Sequence, residues 1–278
     1  MRHQRVNDID LYIEGEGIPL LCLHGWTMDH TMWRYQSPLA DRNIMLISYD
    51  RRGHGTRPDG DCGLIPDLHD ISTIIDHLKL DRLALIGMSQ GARIAQVYAH
   101  HHASHISHLI LQSAPAAEDQ LTDVTNPLIP IDAYRALIQA GEMDAFRDRW
   151  LHHPLMHCAE DGPRQHLHEM VERYRGSDLL SSSSRKAELT RKAEPFERSG
   201  VQKSSYVGPL LAITGDQEPR LLRHYADHLI DKHRSMSDQP AIRLDIQGHG
   251  HFTNMTIPHK VNDAIFDFIS DHRSSAVA

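Results

Sequence analysis

Gly87-Met88-Ser89-Gln90-Gly91 sets a serine between two glycines in a G-x-S-x-G pattern. A serine hydroxyl is a weak nucleophile, so chemistry at Ser89 needs a base to take its proton and a carboxylate to orient that base. It also needs N–H donors for the negative charge that develops on an attacked carbonyl. The chain offers candidates for each part. Gln247-Gly248-His249-Gly250-His251-Phe252 carries two histidines, whose ordinary pKa lets a proton come and go near neutral pH. Asp216 and Glu218 follow the apolar run Leu211-Ala212-Ile213-Thr214-Gly215. His24-Gly25-Trp26-Thr27 closes another such run, and Gln90 follows the serine itself. Together these residue types point to acyl transfer through a covalent intermediate.

The elements needed to hold these residues are legible in the apolar pattern. Short apolar runs at residues 19–23, 43–49, 83–86, 105–111, 209–214 and 241–246 alternate with helical patterns at 66–78, 92–101, 221–231 and 259–272. This alternation predicts crossover units around a largely parallel sheet. Residues 6–13, followed by a turn at Glu14-Gly15-Glu16-Gly17, read as an edge hairpin. Ser89 then falls between a buried strand and a helix, the context that gives its motif meaning. A side chain at either flanking glycine would collide with nearby backbone. The turn lifts the hydroxyl above the sheet and aims the Gln90 amide and the helix N-terminus at an oxyanion. From about residue 115 to 206 the strands stop, and 131–140, 143–151 and 164–174 read as helices. The expected organisation is a core of 1–114 and 207–278 with a helical cap at 115–206.

Leu23-His24-Gly25-Trp26, Tyr49-Asp50-Arg51-Arg52-Gly53-His54-Gly55, Gly87 to Gly91 and Gly250-His251 resemble the α/β-hydrolase superfamily, in order and in spacing. Thr56-Arg57-Pro58 departs from the serine usual just after the second motif. The resemblance implies an α/β-hydrolase fold: a mostly parallel eight-stranded sheet flanked by helices, with a cap between the sixth strand and the strand bearing the acid. It implies Ser89 as nucleophile, with the amides of Trp26 and Gln90 as the oxyanion hole. In the family's pattern a Pro and then an Asn follow the Gly-His at fixed distances; Pro258 and Asn262 give that register from His251 rather than His249, so the resemblance implies His251 as the base. In the family the acid stands three residues past the glycine, which implies Glu218 here, with Asp216 the alternative. The indole of Trp26 is expected to line the acyl pocket.

The remaining features narrow the class. A net charge of −8 over 278 residues gives no footprint for nucleic acid and argues against anionic membranes. The N-terminus lacks the apolar stretch of a secretory signal, and no run reaches transmembrane length. Cys22, Cys62 and Cys158 suit reduced thiols in a cytoplasm. The 23 histidines, with His100-His101-His102 together, read as solvated helix-end groups without closed zinc spacing. No metal or organic cofactor is required. Phe146, Trp150, Leu155 and Met156 read as apolar cap walls or internal cap packing. Arg185, Lys186, Arg191 and Lys192 form a basic run, a solvated helix face or a seat for an acidic acyl carrier; there is also some likeness to the pimeloyl methyl-ester esterases of biotin synthesis. The expected substrate is a small carboxylic ester. A lactone, a thioester or a carbon–carbon bond beside a carbonyl is the alternative, and a non-enzymatic ligand-binding protein on the same fold is a further one. An aspartate at position 89 would have indicated epoxide or haloalkane chemistry.

Overall fold

The computed structural model describes residues 1–57, 60–115, 128–181 and 206–270. Eight strands form one sheet: β1 (Arg2–Val6), β2 (Ile9–Glu14), β3 (Ile18–Leu23), β4 (Ile44–Tyr49), β5 (Leu83–Met88), β6 (Ile106–Gln112), β7 (Leu210–Gly215) and β8 (Ala241–Ile246). Their order is β1-β2-β4-β3-β5-β6-β7-β8. The β1/β2 and β2/β4 pairs are antiparallel, and every other pair is parallel. Beside the strands lie α1 (Leu64–Leu78), α2 (Gln90–His101), α3 (Ile131–Gln139), α4 (Met143–Leu151), α5 (Asp161–Arg173), α6 (Ser177–Leu180), α7 (Arg220–Met236), a short turn at Thr253–Thr256 and α8 (Pro258–Ser270).

The central strands β3, β5 and β7 are apolar without alternation because both faces of the sheet are covered there. Leu20, Cys22, Ala84, Ile86, Leu211 and Ile213 face the side packed by the His30–Arg42 segment, α8 and the helices inserted between β6 and β7. Leu21, Leu23, Leu83, Leu85, Leu210 and Ala212 face α1, α2 and α7. All twelve are at most 3% exposed, so no position in these strands has a polar side to advertise its orientation.

One local reading is corrected. The residues 6–13 are not one strand: the chain reverses at Asn7-Asp8, where Asn7 takes the left-handed conformation (φ 53°) that a tight hairpin requires. The glycines at 15 and 17 belong instead to the crossing from β2 to β3, which do not pair. Residues 30–42 also carry structure that the apolar pattern does not announce. They form a 3-10 segment opened by Asp29, whose side chain accepts from the Thr31 amide, and containing Pro38. A 3-10 segment lacks the 3.6-residue stripe by which helices are recognised in sequence. His100, His101 and His102 do sit at the end of α2, where His102 stacks on Tyr98.

The order of the strands locates a crevice. From β3 the chain passes through residues 30–42 on one face to β4, then returns on the other side of β3 to β5, which leads into α2 on the opposite face. The connections after β3 and β5 therefore leave in opposite directions, and an open α/β sheet binds ligands at such a switch point.

Candidate active site

Ser89 stands at the end of β5 in this crevice. Its backbone is strained (φ 52°, ψ −116°), a conformation a non-glycine residue holds only when its surroundings impose it. The surroundings are the two flanking glycines. A Cβ on Gly87 would lie 2.3 Å from the Gly91 carbonyl oxygen, and one on Gly91 would lie 2.2 Å from that of Leu23. No side chain fits at either distance, so both glycines are demanded by close backbone approach. Helix α2 begins directly at Gln90 and β5 runs on to Met88, which leaves the serine alone in the turn.

His251 and Glu218 are both buried, and His251 Nδ1 lies 3.8 Å from Glu218 Oε1. Asp216 is elsewhere: its carboxylate accepts the Gly248 amide at 2.7 Å and fastens the loop from outside. His249 bonds Thr256 Oγ1 through Nδ1 at 2.9 Å and approaches Glu160. Gly215 lets the loops meet, since a Cβ there would stand 2.0 Å from the His249 carbonyl oxygen. Pro258 opens α8, and Asn262 in that helix donates to the Tyr35 carbonyl and accepts from Gln36. Asn262 thus anchors the histidine-bearing segment without touching the histidine.

Two residues that the sequence did not single out join these parts. Gln112, at the end of β6, accepts the Ser89 amide on its carbonyl (2.9 Å) and donates from its side chain to the His251 carbonyl (3.3 Å). It therefore ties the strand-to-helix turn to the histidine loop. Ser113 follows it, fully buried at φ 53°, and its hydroxyl meets both Glu218 Oε1 and the His251 carbonyl.

The loop after β3 is fixed from beneath by Arg51, which is 1% exposed. Its guanidinium donates to the carbonyls of His24 (3.1 Å) and Gly25 (3.4 Å), to Gln90 Oε1 (2.6 Å) and to Asp67 (3.2 Å). The Arg51 amide donates to His24 Nε2 at 2.9 Å. Nε2 is thus the acceptor, so the neutral ring carries its proton on Nδ1 and donates it to the Gly25 carbonyl at 2.8 Å. Burial, then the Arg51 charge, hold His24 well below the ordinary imidazole pKa, which agrees with a neutral ring. Three donors meet the Gly25 carbonyl: His24 Nδ1, the Arg51 guanidinium and, at 3.4 Å, the Met28 amide. In a planar trans peptide the N–H of the next residue points the opposite way, so gripping that oxygen aims the Trp26 amide. The amides of Trp26 and Gln90 donate to no backbone acceptor among the described residues.

The Trp26 indole does not wait for a ligand. It is 7% exposed, donates to Tyr174 Oη (3.1 Å) and Asp178 (3.0 Å), and packs edge-on against Phe146 and Trp150. Phe146, Trp150, Leu155 and Met156 are all buried with it, which is the internal-packing alternative for those four. Arg185, Lys186, Arg191 and Lys192 lie outside the described residues. Asp29, His30 and Asp50 are spaced closely enough for a cation, but their atoms are already bonded to Thr31, Arg173, Thr56 and each other. Among the described residues, no helix is long and apolar enough to cross a membrane.

Comparison with known proteins matches residues 18–256 to a family model described as the alpha/beta hydrolase fold. An AB hydrolase superfamily protein of Bacillus subtilis is 36% identical over 114 residues, 39% of this chain and 42% of the relative. The matched stretch is thus less than half of that relative's length. An epoxide hydrolase from Vigna radiata superposes with a TM-score of 0.71 at 17% identity, covering 97% of this chain and 98% of its own. An esterase from Exiguobacterium antarcticum gives 0.69 at 20% identity, covering 94% and 95%. At such identities the structures share the fold alone.

Proposed function

The chain belongs to the alpha/beta hydrolase fold family, and from that premise we propose that it is a serine hydrolase cleaving a carboxylic ester through an acyl-enzyme. Ser89 Oγ attacks the acyl carbon while His251 takes its proton. Glu218 orients the imidazole and stabilises its cation. The amides of Trp26 and Gln90 receive the oxyanion. His251 returns the proton to the departing alkoxide, and a water activated by the same imidazole then releases the acid. The segment at 115–206 acts as a cap over the acyl group, and the buried cysteines fit a cytoplasmic setting.

The observation that carries this reading is a strained serine at the sheet's switch point, tied through one residue, Gln112, to a buried histidine that has a buried carboxylate beside it. A serine, not an aspartate, stands at position 89, which separates the site from the ester-forming carboxylates of epoxide chemistry. Lactones, thioesters and carbon–carbon bonds beside a carbonyl would use the same groups and are the alternative substrates. A small acyl ester is preferred, and an acyl-carrier-bound one rests only on the basic run at 185–192.

A fluorophosphonate probe and a series of p-nitrophenyl esters test the proposal. Wild type should be labelled and should turn over esters, and Ser89→Ala should lose both by more than about a thousandfold. Equal labelling and turnover in Ser89→Ala would overturn the assignment. Rates on acetate, butyrate and octanoate esters, set against lactones and acyl thioesters, then rank the substrates.

A further inference from the structure

We propose that Ser113 is a positioning residue that fixes the Glu218 carboxylate against His251. The inference rests on the Ser–His–Glu reading above and adds a fourth residue to it.

The geometry at Ser113 is costly and has one visible return. A serine at φ 53° in a buried strand end is strained, and the same backbone would be relaxed with glycine. Its amide is committed to the Ile213 carbonyl of β7 at 2.8 Å. Held there, the hydroxyl points between the acid and the base: it donates to Glu218 Oε1 and lies 3.2 Å from the His251 carbonyl. Glu218 Oε1 also accepts the Gly215 amide at 3.3 Å. Two donors from two strands therefore grip one oxygen of a carboxylate that has almost no contact with water. A buried carboxylate without donors is expensive, and a glutamate has one more rotatable bond than an aspartate with which to escape.

The same junction is incomplete where the grip ends. Glu218 Oε2 and His251 Nδ1 are buried and have no hydrogen-bond partner among the described residues. Nδ1 stands 3.8 Å from Oε1, about 1 Å beyond a hydrogen bond. Apo sites often hold such bonds long and tighten them with substrate. With the carboxylate clamped by Ser113 and Gly215, the imidazole makes the movement and the acid stays still. Without the hydroxyl, the longer glutamate chain loses its reference point and the pair closes less often.

A double-mutant cycle on p-nitrophenyl ester hydrolysis tests this. Ser113→Ala should lower kcat about tenfold with KM within twofold, and in a Glu218→Gln background the same change should cost less than twofold. Ser113→Gly should lose as much kcat as Ser113→Ala while melting at a higher temperature than Ser113→Ala, because it relieves the φ strain; it also supplies a folded variant if alanine does not fold. An equal loss in both backgrounds would make Ser113 merely structural and overturn the proposal. So would an undiminished kcat in both Ser113 variants while Ser89→Ala is inactive and Glu218→Gln is slowed about a thousandfold, a result that leaves the triad standing. Retained turnover in Ser89→Ala would instead overturn the triad itself.

Discussion

Polar atoms on the two sides of Ser89 are paired to very different degrees. On the oxyanion side Arg51 reaches His24, Gly25, Gln90 and Asp67, and both ring nitrogens of His24 are bonded. The buried atoms there without partners among the described residues, Asp67 Oδ1, Tyr49 Oη and His54 Nε2, surround Arg51 and His24, and none belongs to a group with a proposed part in the chemistry. On the acid–base side His251 Nδ1, Glu218 Oε2, Gln112 Oε1 and Thr253 Oγ1 are all buried without partners among the described residues. Each unpaired buried group costs free energy, on the order of 1–3 kcal/mol. The contrast fits the proposed work of each side. Donors for an oxyanion are most effective when they need not reorganise, whereas a proton shuttle must move and cannot be fully satisfied in every state.

The largest effect expected from this contrast is at the acid. Glu218→Gln keeps the shape and removes the charge that stabilises imidazolium, so kcat should fall by about a thousandfold or more. Asp216→Asn only weakens the clasp on the Gly248 amide and should cost less than threefold. Similar losses in the two variants would undo the assignment of the acid, and with it the description of the unfinished side.

How far this was visible beforehand depends on the range of the signal. Ser89, His251, Glu218 and the strands carry short-range marks: flanking glycines, an apolar run, a fixed step past Gly215. The hairpin at Asn7-Asp8 escapes the sequence pattern because a single left-handed asparagine is a weaker mark than the two glycines that follow. The roles of Ser113 and Arg51 are illegible in the sequence for a deeper reason. Ser113 meets partners 105 and 138 positions away, and nothing near it in sequence says that its φ is positive. Arg51 stands within a recognised motif, yet its work depends on carbonyls of a different strand and on Gln90, 39 residues on. Neither the pattern of apolar residues nor the identity of neighbours encodes such meetings.

A smaller but broader effect should follow from Arg51→Met. It leaves the orientation of the Gly25 carbonyl to His24 and the long Met28 contact and strands Asp67, so kcat should fall by about ten- to a hundredfold and stability by several kcal/mol. Adding Asp67→Asn should restore stability and not kcat, because the guanidinium's grip on Gly25 is still missing. Asp67→Asn alone has a signature in pH. Burial pushes the Asp67 carboxyl up to about 6 from 3.8 despite Arg51. The folded state therefore binds this proton more tightly than the unfolded chain. The stabilisation is complete below about pH 4 and is lost as pH rises through about 6. Urea midpoints of Asp67→Asn minus wild type should climb across that window and then level off. A difference that is flat from pH 4 to 7 would remove Asp67 from the strained end of the clamp.

The smallest effect probes whether the paired side stands on its own or leans on the inserted helices. Trp150, in α4, donates to Thr27 Oγ1 at 2.8 Å, and Thr27 directly follows Trp26 with a positive φ of 63°. Trp150→Phe keeps most of the ring packing against Trp26 and removes only that hydrogen bond. A buried hydroxyl left without its donor should cost about 1 kcal/mol, read as a lowered urea midpoint. If Arg51 and His24 suffice to aim the Trp26 amide, kcat should change by less than threefold. A tenfold fall in kcat at unchanged stability would mean that the loop after β3 is held from above as well as below. The two sides of Ser89 would then differ less than their hydrogen bonds imply.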